Sequence, residues 1–179
     1  MISQETSIHF EDIRCTLPTN DDCPAPLQAG WWRRELEDIV GLTFHHTLSY
    51  SPWATAAHYI RKGGGRPSIP YTLWICGCGM VLQCGNFRDG CWHDHTGHRN
   101  VHLSVGLAGT LHKYRPTVAQ LDAAAAVAAW AVCNPDFNIS RDQVRGHSDY
   151  TATICPGWEA RASGYWRHDL MAEVLRLLS

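Results

Sequence analysis

The residues best suited to chemistry lie in a short segment near the carboxyl end of the chain, where His147 is followed eight positions later by Cys155. An imidazole nitrogen and a thiolate sulfur on one loop can reach the same metal ion, and Zn²⁺ accepts both at nearly tetrahedral geometry. His45 is the candidate third ligand because it ends a short apolar run, and a strand end holds a side chain rigidly. One zinc ion with three protein ligands keeps its fourth position for water.

This set of residues is only moderately specific when it is taken alone. A histidine eight residues before a cysteine occurs by chance, and a lone buried cysteine is more often an inert packing group than a ligand. The hypothesis therefore depends on the elements that would bring the three residues together.

Short strands alternate with helices along the chain. Residues 42–47 form an apolar, β-leaning run that ends in the His45–His46 pair, and 103–108 is a similar run closed by a glycine. Residues 71–76 and 80–84 are separated by a turn with two glycines, which predicts a hairpin. Strands interleaved with helices predict a single α/β domain with a central mixed sheet flanked by helices and the zinc site at one edge of the sheet.

The clearest helix is predicted for residues 117–133. Thr117 and Gln120 form a capping box at its start, an alanine-rich run follows, and Pro135 ends the pattern. The polar, histidine-rich segment 88–102 is predicted to be a long functional loop. Weaker helical patterns occur at residues 31–40, 53–62 and 166–178.

The length of 179 residues fits one domain, with an irregular extension at 1–40 packed on the core and a catalytic domain at 41–179. The net charge is only −2, so no nucleic-acid partner is expected. No apolar run approaches the roughly 20 residues of a membrane span, so no membrane partner is expected either. Residues 1–10 show no secretory signal. We expect a monomer that is made in a bacterial host cytoplasm.

Eight cysteines are many for a chain of this length. Because no secretory signal is evident, we expect most of them to be reduced thiols that pack in the interior, with a few available to bind a metal. The sequence leaves the redox state of Cys15, Cys23 and Cys133 open. Cys76 and Cys78 share one face of a predicted strand. With Cys84 and Cys91 nearby, a structural zinc site or a disulfide remains the alternative.

Several short motifs follow one another in a diagnostic order over roughly residues 41–158. They are Phe44-His45-His46-Thr47, Ile69-Pro70-Tyr71, His93, Asn100, Ser104-Val105-Gly106, Gly109, Gly146-His147 and Cys155-Pro156-Gly157. Together they resemble the type-2 N-acetylmuramoyl-L-alanine amidases, a family that includes phage lysozyme-type amidases and peptidoglycan recognition proteins.

The resemblance implies one zinc ion held by His45, His147 and Cys155, which match the ligand positions of the family. It implies catalytic assistance from Tyr71, which opens the second strand, and from Thr153, two residues before the cysteine. A cysteine rather than an aspartate as third ligand is similar to the wall-lytic and recognition branches. The cytosolic recycling amidases of the family generally use aspartate there.

Four further residues are predicted to bind substrate, namely His46, Trp92, His93 and Asn100. For His93 and Asn100 the prediction rests on the resemblance, and Asn100 is one residue further from Ser104 than in comparable relatives. Trp92 lies beside the histidine-rich loop and is suited to line a sugar groove, although tryptophan is more often a core residue. His46 points to the opposite face of a strand from its neighbour, which favours a structural role.

The resemblance therefore implies zinc-dependent hydrolysis of the amide bond between N-acetylmuramic acid and L-alanine in bacterial peptidoglycan. Tyr71 is the first candidate for protonating the leaving amine. The alternatives are a non-catalytic peptidoglycan-binding module, a cytosolic muropeptide-recycling amidase and a zinc-stabilised regulatory protein. The cysteine ligand and the compact length favour a phage endolysin, a bacteriolytic and antimicrobial enzyme that acts on the wall after release from the host cytoplasm.

Overall fold

The computed structural model describes residues 8–20, 33–61, 67–94, 96–157 and 176. These residues form strands, α-helices and short 3₁₀ turns. The strands are β1 (Glu11–Asp12), β2 (Gly41–His46), β3 (Leu73–Ile75), β4 (Val81–Gln83), β5 (His102–Leu107) and β6 (Val144–Gly146). The helices are α1 (Pro52–Arg61), α2 (His98–Val101) and α3 (Val118–Cys133).

The strands form one mixed sheet in the order β1-β4-β3-β5-β2-β6. Strands β3 and β4 pair antiparallel as the predicted hairpin, and the other neighbouring pairs are parallel. Every residue of β2 and β5 is buried. Parallel strands need such coverage because crossover connections place other elements over their faces. The predicted single α/β domain with a mixed sheet is therefore confirmed.

Helix α3 covers one face of the sheet, and its predicted capping box is present. The Thr117 hydroxyl accepts a hydrogen bond from the Gln120 backbone at 3.0 Å, and the Gln120 side chain accepts one from the Thr117 backbone. The alanines of α3 allow it to lie close to alternate residues of the central strands. Burying each large apolar side chain contributes roughly 1.5–3 kcal/mol. The apolar residues beneath the helix include Leu42, Phe44, Leu103 and Val105.

The opposite face of the central strands contains buried polar side chains that bond to one another. Thr43 Oγ1 lies 2.9 Å from His102 Nδ1, and Ser104 Oγ accepts a hydrogen bond from the Thr72 backbone at 2.9 Å. These bonds offset the cost of removing hydroxyl and imidazole groups from water. His45 continues this row of polar side chains toward the carboxyl end of β2.

The helix predicted for 31–40 is wrong over the described residues 33–40, where only Leu36–Asp38 form a 3₁₀ turn. Long-range pairing explains the difference. Arg33 forms an isolated β-bridge with Asp89, and the next residue also bonds its backbone to the segment near Asp89. Extended backbone is required for such bonds, so tertiary contacts override the local helical pattern.

The helix predicted for 53–62 is confirmed as α1, and the loop predicted for 88–102 ends in the short helix α2. The helix predicted for 166–178 lies outside the described residues, apart from position 176. No helix within the described ranges is long and apolar enough to cross a membrane.

The described cysteines are all free thiols, but the expectation that they pack in the interior is wrong for Cys15, Cys78 and Cys133, which are exposed. The described cysteines are Cys15, Cys76, Cys78, Cys84, Cys91, Cys133 and Cys155, whereas Cys23 lies outside the described residues. Cys84 and Cys91 are buried and Cys78 is exposed. Within the described part of the chain, Cys155 alone among the cysteines belongs to a group with the geometry of a metal site.

Candidate metal centre and active site

Strand register brings His45 and His147 to the same edge of the sheet. Strand β6 runs parallel to β2, with Phe44 opposite Gly146. The next residue on each chain segment is therefore a histidine, and the two imidazole centroids lie 4.5 Å apart. A 3₁₀ turn begins directly after β6, and the Asp149 carboxylate closes it by accepting a hydrogen bond from the Gly146 backbone at 2.9 Å.

A second turn places Cys155 beside these histidines. The Thr153 hydroxyl accepts a hydrogen bond from the Cys155 backbone at 3.2 Å, and Cys155 Sγ lies 3.6 Å from Nδ1 of His45. The ligand atoms of His45, His147 and Cys155 all lie within 4.8 Å of one another. With Zn–N near 2.05 Å and Zn–S near 2.3 Å, a tetrahedral zinc ion separates a nitrogen and a sulfur ligand by about 3.6 Å. The donor atoms and their spacing therefore fit one zinc ion.

Burial favours the neutral forms of His45 and Cys155. It lowers the pKa of His45 well below its ordinary value, and His93 and His147 act in the same direction. Burial also raises the pKa of Cys155 to about 12. A neutral imidazole is the form that binds a metal, and a divalent cation displaces the proton of a thiol to give the thiolate ligand. Binding of a divalent cation would therefore release a proton from this cluster.

Tyr71 packs beside the cluster. Its ring centroid lies 5.6 Å from that of His45 and 6.1 Å from that of Trp74. Burial raises the pKa of Tyr71 well above its ordinary value, and Tyr59 and Cys155 act in the same direction. The phenol therefore stays protonated near neutral pH and is able to donate a hydrogen bond.

Gly106 leaves the space that Tyr71 occupies. It lies opposite His45 in the β2–β5 register. A Cβ at this position would lie 3.0 Å from two ring carbons of Tyr71 and 2.7 Å from Cγ2 of Thr47. Carbon atoms in proteins do not pack this closely, so any larger residue forces Tyr71 or Thr47 to move.

We expect Gly106→Ala to destabilise the fold by about 1–3 kcal/mol, the usual cost of overpacking a core. It should also lower turnover because Tyr71 is displaced. Urea unfolding and initial-rate measurements would separate the two effects. Gly77→Ala is the matched control, because a Cβ there meets nothing within 4 Å. Equal stability and equal rates in the two variants would contradict the steric argument.

One of the predicted substrate residues, His93, lies against the cluster. His93 Nδ1 is 3.0 Å from His45 Nε2, and the His93 side chain has no exposed surface. Trp92 precedes it in the chain and is half-buried. The structure therefore brings His93 to a candidate metal ligand, and a substrate role for either residue stays a prediction.

The side chains of the other two predicted substrate residues are not part of the His45–His147–Cys155 group, although the backbone of His46 hydrogen-bonds to the Cys155 thiol. His46 projects to the opposite face of β2 from His45, and its ring centroid is 5.2 Å from that of His112. Burial lowers the pKa of His46 to about 4, with His112 and His147 acting in the same direction. Asn100 precedes the amino end of β5, whereas His45 lies near the carboxyl end of the neighbouring β2. Their substrate roles also stay predictions.

Sequence reasoning missed a buried arginine that supports this region. Arg34 donates from Nε to the Phe87 carbonyl at 3.1 Å, and from Nη1 to the carbonyls of Asn100 and His102 at 3.0 and 2.8 Å. It thereby links both ends of the histidine-rich loop. Nothing in the sequence marks Arg34, because it is one of two adjacent arginines and its partners are distant backbone carbonyls.

The fold and the site together define a single α/β domain with a candidate metal centre at the edge of a mixed sheet. Residues 35–158 match the family Amidase_2, described as N-acetylmuramoyl-L-alanine amidase. The chain belongs to this family. Among curated proteins, no sequence matches it significantly.

Solved structures of amidases and peptidoglycan recognition proteins share the fold. The N-acetylmuramoyl-L-alanine amidase LysC from Clostridium intestinale superposes with a TM-score of 0.67 at 15% identity, covering 88% of this chain and 99% of that one. Wild-type peptidoglycan recognition protein LB from Drosophila superposes with a TM-score of 0.67 at 19% identity, covering 89% of this chain and 95% of that one. Peptidoglycan recognition protein SA from Apis mellifera superposes with a TM-score of 0.68 at 16% identity, covering 88% of this chain and 96% of that one.

Proposed function

We propose that this chain is a zinc-dependent N-acetylmuramoyl-L-alanine amidase that hydrolyses the bond between N-acetylmuramic acid and L-alanine in bacterial peptidoglycan. The observation that supports this most directly is the convergence of His45, His147 and Cys155, whose ligand atoms lie within 4.8 Å of one another. Membership of the amidase family supports the reaction.

Two structural neighbours support peptidoglycan as the ligand. A point mutant of Drosophila peptidoglycan recognition protein LB is described in complex with tracheal cytotoxin. The recognition protein LE is described with the same compound, a monomeric diaminopimelic acid-type peptidoglycan. A substrate of this class has the lactyl amide that the proposed reaction cleaves.

The proposed catalysis depends on groups that the fold holds in place. A zinc ion held by His45, His147 and Cys155 would supply a Lewis acid and a bound water whose pKa is about 7. Tyr71, kept protonated by burial, donates a hydrogen bond to the carbonyl oxygen as that oxygen gains negative charge. The hydroxyl of Thr153, on the turn that positions Cys155, is the second candidate donor. One such donor typically contributes about 3 kcal/mol to stabilising the transition state.

We further propose that the protein is a phage endolysin, which acts as a monomer on the wall after release from the host cytoplasm. Cysteine as the third candidate ligand supports a wall-lytic enzyme over a recycling amidase. A second structural neighbour from Clostridium intestinale is described as an endolysin amidase, which supports the same assignment.

A non-catalytic recognition protein is the second candidate function, because several structural neighbours are peptidoglycan recognition proteins. The presence of all three candidate ligands in one cluster favours the enzyme. A protein that only binds peptidoglycan has no need to hold two imidazoles and a thiol at zinc-ligand spacing.

Digestion of purified sacculi tests the proposed reaction. Mass spectrometry of the soluble products should show peptides with a new L-alanine amino terminus and glycan chains that keep their original reducing ends. New reducing sugars would instead indicate a glycosidase. Binding to sacculi without release of any product would support the recognition protein, and the zinc content of the same preparation would show whether the cluster holds a metal.

A further inference from the structure

His93, in the histidine-rich loop, bonds to a candidate metal ligand. Its Nδ1 lies 3.0 Å from Nε2 of His45, and the two rings are nearly perpendicular, with an interplanar angle of 75°. Neither His93 nor the neighbouring Asp94 has any exposed side-chain surface. A hydrogen bond at this distance, sealed from water, holds its partner firmly.

A metal ion at the cluster would fix the direction of this bond. His45 turns Nδ1 toward Cys155, with Sγ at 3.6 Å, so Nδ1 is the nitrogen that a metal ion at the cluster would take. The proton of the neutral His45 ring must then be on Nε2. It follows that His45 donates, that Nδ1 of His93 accepts, and that His93 has its own proton on Nε2.

We propose that His93 is a positioning residue, whose Nδ1 fixes His45 in the tautomer and ring orientation that leave its Nδ1 free to bind the metal. The inference rests on the proposed function, because it concerns a ligand of the proposed zinc ion. Ligating histidines usually donate their second N–H to an outer partner in this way, and such partners set the metal affinity. This role differs from direct contact with substrate, which the burial of His93 disfavours.

Two sets of contacts hold His93 in place. Asp94 Oδ1 accepts hydrogen bonds from the backbone and hydroxyl of Thr96 at 2.7 and 3.0 Å, which closes a tight turn after His93. Arg34 bonds to backbone carbonyls at both ends of the loop. Asp94 Oδ2 is 3.5 Å from His93 Nδ1, longer than a hydrogen bond, so His45 is the closer partner of that nitrogen.

A pair of substitutions at His93 tests the proposal. His93→Asn keeps an acceptor oxygen near the position of Nδ1, whereas His93→Leu keeps a similar volume and removes the acceptor. In the metal-free proteins, long-range ¹H–¹⁵N correlation spectra report which nitrogen of His45 is protonated. Competition with a chelator gives the zinc dissociation constant, and Leu103→Ala is the control for lost stability alone, since Leu103 lies on the opposite face of β5.

We expect His45 to be protonated on Nε2 in the wild type and in His93→Asn, and to lose that preference in His93→Leu. The zinc dissociation constant should rise about 10- to 100-fold in His93→Leu, the usual effect of losing an outer partner, and stay within about threefold of wild type in His93→Asn. An unchanged tautomer and unchanged affinity in His93→Leu would overturn the proposal. An equal loss of zinc affinity in His93→Leu and His93→Asn would also overturn it. A wild type that binds no zinc would refute the proposed function, and the His45 tautomer would still test the role of His93.

Discussion

Replacing Cys155 by alanine is expected to abolish release of peptides from purified cell walls and to reduce bound zinc well below one ion per chain. The thiol is one of three groups whose ligand atoms lie within 4.8 Å, and two imidazoles alone hold zinc weakly. Without a tightly held metal, the attacking water loses the lowered pKa of about 7 that a bound zinc ion gives it. A loss of at least about a thousandfold in rate is therefore expected, and His147→Ala should behave in the same way.

Cys84→Ala is the matched control for this prediction, because Cys84 is also a buried free thiol. Cys84→Ala should bind zinc and release peptides as the wild type does, even though the variant is less stable. Initial rates on sacculi and metal analysis of the dialysed proteins provide the measurements. Removal of metal from the wild type with a chelator should reproduce the Cys155→Ala defect, and added zinc should restore only the wild type. Full activity in metal-free Cys155→Ala would end the zinc hypothesis.

Tyr71→Phe is expected to lower the turnover number by about 10²- to 10³-fold, the typical effect of losing one hydrogen bond to a developing oxyanion. Zinc content should not change, because Tyr71 contacts the ring of His45 and is not one of the candidate ligands. The substitution removes only the hydroxyl, so packing of the ring against Trp74 is kept. Steady-state kinetics with a soluble muropeptide would show the loss in kcat rather than in KM.

The control for Tyr71→Phe is Tyr114→Phe, which removes the same hydroxyl from a side chain that is 64% exposed. Its rate should match that of the wild type. An unchanged turnover number in Tyr71→Phe would remove this residue from the mechanism and leave Thr153 as the remaining candidate donor. Loss of zinc from Tyr71→Phe would instead indicate that the hydroxyl supports the ligands.

The agreement between sequence and structure is best where the signal is local. The capping box at Thr117, the alanine-rich helix and the hairpin of β3 and β4 depend on residues close together in the chain, and all three are observed. The helical pattern at 31–40 was local as well, but there Arg33 and its neighbour pair with the distant segment near Asp89. Long-range backbone bonds decided that segment, and local propensity is too weak to oppose them.

The burial of His93 is a second feature that the local sequence does not predict. Its position in a polar, histidine-rich loop favours contact with solvent or substrate. In the structure its side chain is buried against His45. Hydrogen bonds from Arg34 to backbone carbonyls at both ends of the loop hold the loop over the polar face of the sheet. Burial of such a loop depends on partners more than fifty residues away, which no local pattern reports.

Residue types and local periodicity are enough to predict which chemical groups are present and in what kind of element each lies. Two histidines, one cysteine and a tyrosine at the start of a strand are predicted site residues, because their chemistry and the local periodicity can be read from the sequence. Only the tertiary structure decided that these groups meet. Residues about a hundred positions apart become neighbours through the parallel pairing of β2 with β6, where Phe44 lies opposite Gly146. Register of this kind is set by the packing of the whole core, so it exists only in the folded protein.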